Sequence, residues 1–283
     1  MSGIQGRFGA SLYGLTCRDR CVPQFLSRCA VQHRPDPRAL MEAIVDHVAA
    51  YLAKALDHER FKPLGMATGR TMEPFYAALV QRLMTWPAPQ LEQLKRCWLS
   101  FNLDEYVGLP PGDSRSFAAY MHAQLGCHLE LSPCQLQLPD GTAKDPAEEA
   151  RRYGSALHHA GGIGLQLLGL GGNGHVGFNE PPSPAGSRCR VVTLQQATRI
   201  QNASAFGGNS EEVPEQAITL GLDEILAADE IHLIVTGAAK AEILRTALLN
   251  PCSADVPASW LQSHSSVHLW VDDAAGAHLP LLS

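Results

Sequence analysis

The sequence predicts an α/β fold: a single-domain, mostly parallel sheet flanked by helices on both faces. Three observations point there. Short apolar runs alternate with stretches of helical period from residue 35 onward, the rhythm of strand–helix–strand units. The 283 residues, 45% hydrophobic and 18% charged, are enough to bury one large core. No internal repeat or low-complexity linker interrupts the chain after residue 35, so residues 35–283 are read as one domain.

In order along the chain, Asp36 is placed to cap a helix over Arg38–Leu56, with Leu40, Ile44, His47, Val48, Tyr51 and Leu52 near one face. An apolar run over Leu64–Ala67 reads as a strand, followed by a glycine turn and a helix over Glu73–Met84. A strand over Cys97–Leu103 leads through a Pro- and Gly-rich loop to a helix near Ser114–Leu125. A helix over Pro146–His159 precedes a strand over Gly164–Leu170. Further strands are expected at Arg188–Leu194, Ala217–Leu222, Ile231–Val235 and Val267–Val271, with helices at Ala238–Leu249 and Ala258–His264.

Composition removes several classes of function. With a net charge of −6 and a pI near 6.0, no diffuse basic field exists to hold nucleic acid or an anionic membrane surface. No apolar stretch approaches the ~20 residues that span a bilayer. The 8 cysteines are scattered, as in a reduced, cytoplasmic protein. Cys17, Cys21, Cys29 and His33 have the element types of a metal cluster, but their spacing is too loose for a zinc knuckle. Residues 1–34 carry Arg7, Arg18, Arg20, Arg28 and Arg34 against one acid, Asp19, and lack an apolar signal core. This stretch reads as a basic, disordered extension or as sequence upstream of the true start, with some likeness to an organelle transit segment.

Residues 169–181, GLGGNGHVGFNEP, contain G-x-G-x-x-G after an apolar run. A dinucleotide fingerprint needs a helix to begin on its last glycine, so that the helix N-terminus meets the pyrophosphate. Here Pro181 and Pro182 forbid that helix, and no acid follows about 20 residues on for the ribose. The fold is thus expected to be Rossmann-like without dinucleotide binding. The stretch instead offers His175, with Asn173 and Glu180 as partners. It is a candidate acid–base group, although a histidine taken in isolation is better read as one held by its loop.

Three more loops fall at the same predicted sheet edge. ATGRT (residues 67–71) offers Gly69, Arg70 and Thr71 either as a phosphate cradle or as an ordinary strand–helix turn. FNLDEYVG (residues 101–108) presents Asp104 and Glu105 on opposite sides, one facing a cleft or both serving as caps. Lys240, after HLIVTG, stands beside a bound anion or is simply solvated.

Together FNLDEYVGLP, GLGGNGHVGFNEP, the ATG-x-T loop, VPEQAITLGL and VTGAAKAEIL resemble the glucosamine-6-phosphate deaminase family, kin to the 6-phosphogluconolactonases, over about residues 38–273. The resemblance implies conversion of glucosamine 6-phosphate and water to fructose 6-phosphate and ammonia, without cofactor or metal. It implies that His175 opens the sugar ring, that Glu180 holds and polarises His175, and that Asp104 takes the C2 proton. Gly69, Arg70, Thr71 and Lys240 would bind the phosphate, under a lid from about Arg190 to Phe206. An amino-sugar phosphate is the expected partner, with no nucleic acid and no membrane.

Three departures from the family pattern carry expectations. Asn173 replaces a common aspartate, which predicts a lower pKa for His175. The lid arginine is absent from Asn202-Ala203-Ser204-Ala205-Phe206, and Arg70 is expected to supply that charge from the other side. Val192 replaces an activator-binding lysine and the chain ends soon after WVDDAA, so an allosteric hexamer is not expected. The resemblance leaves a galactosamine-6-phosphate deaminase, a 6-phosphogluconolactonase or a non-catalytic sugar-phosphate sensor as alternatives.

Overall fold

The computed structural model describes residues 25–26, 29–58 and 61–280. Seven parallel strands form the main sheet: β1 (Ala30–Arg34), β2 (Leu64–Met66), β3 (Ser100–Asn102), β5 (Leu136–Gln137), β6 (Leu165–Gly169), β9 (Glu230–Val235) and β10 (Val267–Asp272), in the order β1-β10-β9-β6-β2-β3-β5. Nearly every residue of β6, β9 and β10 is buried, whichever way its side chain points. Both faces are therefore covered, as all-parallel sheets require.

Helix α1 (Pro37–Asp57) starts where the sequence placed it. The Asp36 carboxylate accepts from the Ala39 amide at 2.9 Å, and Leu40, Ile44, Val48 and Leu52 are buried along one stripe. Helices α2 (Glu73–Leu83) and α3 (Ala88–Cys97) follow, and α4 (Phe117–Met121) continues through a π turn over His122–Gly126. Helix α5 (Pro146–His159) is capped by Asp145, and its Tyr153 hydroxyl donates to the carbonyls of Asn102 (2.8 Å) and Gln137 (3.0 Å), fastening it to β3 and β5.

Three expectations need correction. The strands expected at Arg188–Leu194 and Ala217–Leu222, joined by an unforeseen strand at Asp104, do not enter the main sheet. They form a separate antiparallel sheet, β4 (Asp104–Tyr106), β8 (Gln216–Thr219) and β7 (Arg190–Thr193), in the order β4-β8-β7. Apolar periodicity identifies a strand but not its partner. The segment expected as a helix over Ala258–His264 is a 3-10 turn over Pro257–Ser263. The stretch read as an extension reaches too far, because Ala30–Arg34 pairs with His268–Asp272 as the edge strand β1; its mixed polarity is that of an edge, not of a disordered tail. Cys17 and Cys21 lie outside the described residues. Cys29 donates to the Val267 carbonyl (3.3 Å) and His33 pairs with Asp273, so these two side chains are separately engaged.

Around the small sheet lies a second apolar cluster, distinct from the main core. It comprises Tyr106, Leu109, Phe178, Leu194, Ala203, Phe206, Val213 and Ala217. Helix α6 (Gln196–Asn202) and a 3-10 turn over Ala203–Phe206 cover it, with the Tyr106 ring 5.5 Å from Phe206 and 5.6 Å from Phe178. Helices α7 (Leu222–Leu226), α8 (Ala241–Leu249) and α9 (Asp273–Gly276) complete the main layer. Among the described residues no helix is long and apolar enough to cross a membrane.

Candidate functional site

Strand order reverses between β2 and β6: β3 and β5 lie outward on one side, and β9, β10 and β1 on the other. At such a switch point the loops leaving the strand ends diverge and open a crevice. The four loops singled out in the sequence leave four adjacent strands, β9, β6, β2 and β3, all at their carboxyl ends.

The loop after β6 is the hub. Its glycines have steric reasons unrelated to a dinucleotide. A Cβ on Gly171 would stand 2.3 Å from atoms of the His175 ring, so only glycine lets the imidazole lie against the backbone. Gly174 turns the chain at φ +83°, in the left-handed region. The Asn173 Oδ1 lies 2.7 Å from His175 Nδ1 and also accepts from the His175 amide at 3.3 Å. A carbonyl oxygen only accepts, so Nδ1 carries the proton and Nε2 keeps a free electron pair. Burial lowers the His175 pKa to about 4, with Glu180 opposing and Lys240 adding to the drop.

The resemblance gave Glu180 the task of holding the imidazole; here Asn173 does so. The buried Glu180 carboxylate accepts from the Gln195 amide at 2.8 Å and from the Thr198 hydroxyl. Glu180 reaches His175 as a nearby negative charge that opposes the fall in its pKa.

Asp104 sits on the same loop's other flank. A Cβ on Gly177 would approach Asp104 Oδ2 to 3.2 Å and Thr219 Oγ1 to 3.3 Å, so this glycine (φ +55°) permits a close approach of loop and carboxylate. The Phe178 amide is directed at the Thr219 hydroxyl, 3.3 Å away, and at Asp104. Burial, reinforced by the Glu105 charge, raises the Asp104 pKa to about 8. Glu105 points the other way and caps α4, accepting from the Phe117 (3.0 Å) and Ala118 (2.8 Å) amides. Of the adjacent carboxylates, one faces the cleft and one caps a helix.

Gly69 turns at φ +107° between β2 and α2, and a Cβ there would meet nothing within 4 Å, so the loop backbone is open to a ligand. Arg70 is exposed and Lys240 half-buried; among the described residues neither has a carboxylate partner. Burial and then the neighbouring Arg70 charge lower the Lys240 pKa. The Lys240 Nζ lies 4.0 Å from the Cβ position of Gly172, which ties this pair of cations to the histidine loop. Two cations facing each other without an acid between them suit an anion with two charges.

The structure thus brings Asp104, Asn173, His175, Glu180, Gly69, Arg70 and Lys240 to neighbouring loops at one edge of the main sheet, with Thr71 in the turn that follows Gly69. Sequence reasoning missed Thr219, Gln195 and Thr198; Thr219 lies within the quoted VPEQAITLGL, where its neighbours' apolar character hid its polar role. Phe178, Glu180, Ser183, Arg190, Val192 and Gln195 line an adjoining groove that shares Glu180 with this group. Its cation Arg190 is engaged by Asn179 Oδ1 (2.8 Å) and Ser183 Oγ (3.2 Å).

Comparison with known proteins was made against this geometry. Residues 35–270 match the family model of glucosamine-6-phosphate isomerases/6-phosphogluconolactonase. A glucosamine-6-phosphate deaminase of Hahella chejuensis is 41% identical, over 85% of this chain and 90% of the relative. One of Rhodopirellula baltica is 40% identical, over 84% of this chain and 95% of the relative. A solved structure described as a monomeric glucosamine-6-phosphate deaminase superimposes with a TM-score of 0.77 at 34% identity, covering 88% of this chain and 99% of the other.

Proposed function

The chain belongs to the glucosamine-6-phosphate isomerase/6-phosphogluconolactonase family, and we propose that it is an enzyme that deaminates glucosamine 6-phosphate, giving fructose 6-phosphate and ammonia. One observation carries the reading most strongly. A neutral imidazole, a buried carboxylate and two cations without a carboxylate partner stand on neighbouring loops at one edge of the sheet.

Each group fits one step. Arg70, Lys240 and the Gly69–Thr71 backbone hold the phosphate and set C1 and C2 against the acid–base groups, which spends remote binding energy on position. His175 Nε2 accepts the proton of the anomeric hydroxyl and returns it to the ring oxygen, so the ring opens. Asp104 removes the C2 proton, and the electron pair forms an enolamine. Reprotonation at C1 leaves an imine at C2; water adds there and ammonia departs, leaving the ketose. An ammonium group on the substrate would favour the ionised form of Asp104, offsetting the burial that raises its pKa.

Every group invoked comes from one chain, so a monomer can build the site, as in the monomeric relative. The groove lined by Val192 offers no lysine and an Arg190 already engaged, which supports a protein without sugar-phosphate activation. Free cysteines at Cys97, Cys127, Cys134 and Cys252 suit a cytoplasmic setting. The test is ammonia release from glucosamine 6-phosphate and from galactosamine 6-phosphate, alongside ring hydrolysis of 6-phosphogluconolactone read by the acid it forms. Turnover of the first above the others is expected; activity confined to the lactone, or none at all, refutes the assignment.

A further inference from the structure

At the amino-terminal ends of β9 and β10, opposite the crevice, His47, Glu230, His232 and His268 each offer a ligand atom, and these atoms all lie within 4.8 Å of one another. The pleat assembles them. Glu230 and His232 alternate onto one face of β9, and His268 is the register partner of His232 on β10. Their rings stack at 4.5 Å, and His47 of α1 stands 4.9 Å from the His232 ring and 5.0 Å from that of His268.

The four are not equivalent. Trp270 Nε1–H donates to His232 Nδ1 at 3.0 Å. An indole only donates, so Nδ1 accepts and the neutral ring carries its proton on Nε2. That proton faces Glu230 Oε1 at 3.2 Å. His232, fully buried, therefore orients the carboxylate rather than offering an electron pair. The second oxygen, Glu230 Oε2, remains turned toward His268 Nε2 at 3.8 Å.

We propose that His47, His268 and Glu230 form a site for a divalent transition-metal ion of the zinc class, with His232 as a positioning residue whose tautomer Trp270 fixes. Two imidazoles and one carboxylate suit a borderline ion and not calcium or magnesium, which take oxygen ligands. In a tetrahedral site with bonds near ~2.1 Å, ligand atoms stand about 3.4 Å apart. The Glu230 Oε2–His268 Nε2 separation of 3.8 Å is already near that value, and all the ligand atoms lie within 4.8 Å of one another. Glu230 and His268 side chains are 21% and 19% exposed, which leaves the ion a path from solvent and a water as fourth ligand. Bound there, it would clamp α1 to β9 and β10, far from the chemistry.

The experiment adds Zn2+ alone to full-length protein stripped by chelator, and reads binding by calorimetry and Tm. Wild type is expected to bind one equivalent and to gain Tm. The His47→Gln/His268→Gln double variant should lose that equivalent and the Tm gain while its metal-free Tm stays near wild type. Trp270→Phe should weaken binding by roughly 10- to 100-fold without changing stoichiometry. If the double variant does not fold, Co2+ on wild type decides: histidine ring protons shifted by the paramagnetic ion, with no thiolate-to-cobalt absorption, support the site. Undiminished Zn2+ binding in the folded double variant, thiolate absorption alone, or no stoichiometric binding to wild type overturns it.

Discussion

At the scale of single residues, the two proposed acid–base groups are pushed in opposite directions. Asp104 is raised to about 8 and His175 lowered to about 4, each chiefly by burial. The rise of kcat/KM with pH should therefore follow ionisation of Asp104, with an apparent pKa near 8 and no inflection near the ordinary imidazole value. Replacing Asp104 by Asn should lower kcat roughly 100- to 10,000-fold. Stability should move the other way. A carboxylate whose folded pKa is raised holds its proton from about pH 4 to about 8 while the unfolded chain has lost it, so stability falls across that window. Asp104→Asn should thus melt above wild type at pH 9, a comparison calorimetry makes directly. Asn173→Asp places a negative charge 2.7 Å from Nδ1 and should raise the His175 pKa, read by NMR titration of the ring; an unmoved titration contradicts the account. Arg70→Ser should raise KM about 10-fold or more and lower kcat as well, because the lost charge-assisted contact to the remote phosphate also helps to position C1 and C2. Asp104, His175 and Lys240 were legible as residue types at strand ends. The division of labour between Asn173 and Glu180 was not, because it depends on which lid residues reach the Glu180 carboxylate.

Among the elements, α4 shows how a local signal is misread without its neighbours. The sequence DE offered two acids of identical type; only the fold decides that Glu105 meets the α4 amides and Asp104 the crevice. Glu105→Ala would leave the Tyr106, Phe117 and Ala118 amides without their acceptor and should cost about 3 kcal/mol or more, at ~1–3 kcal/mol per orphaned group, measurable by denaturant unfolding. The same change removes a charge that raises Asp104, so the rise in the pH–rate profile should shift to lower pH. Helix α1 was readable because its cap, its proline and its apolar stripe agree. Strand β1 was not, since AVQHR is half-buried and carries no alternation strong enough to separate it from the basic residues before it.

Across the whole molecule, alternating strand and helix patterns were enough to specify a parallel sheet with its ligand loops at one edge. They were not enough to separate β4, β7 and β8 from it. Those strands are short, and their partner choice rests on contacts such as Thr219 against Arg190 and Asp104, distant in sequence. Hydrogen exchange should register two tiers of protection. Amides of β6 and β9 should open only with global unfolding, while those of Gln196–Phe206 should open at lower free energy, and Phe206→Ala should widen the gap. The smaller aromatic cluster has a consequence for turnover. In the proposed mechanism the expected lid is tied to the strand that bears Asp104, because Tyr106 follows Asp104 by two residues and its ring packs against Phe206. Egress and proton abstraction would then share one mechanical part, and solvent viscosity should slow the steady state more than it slows a single turnover.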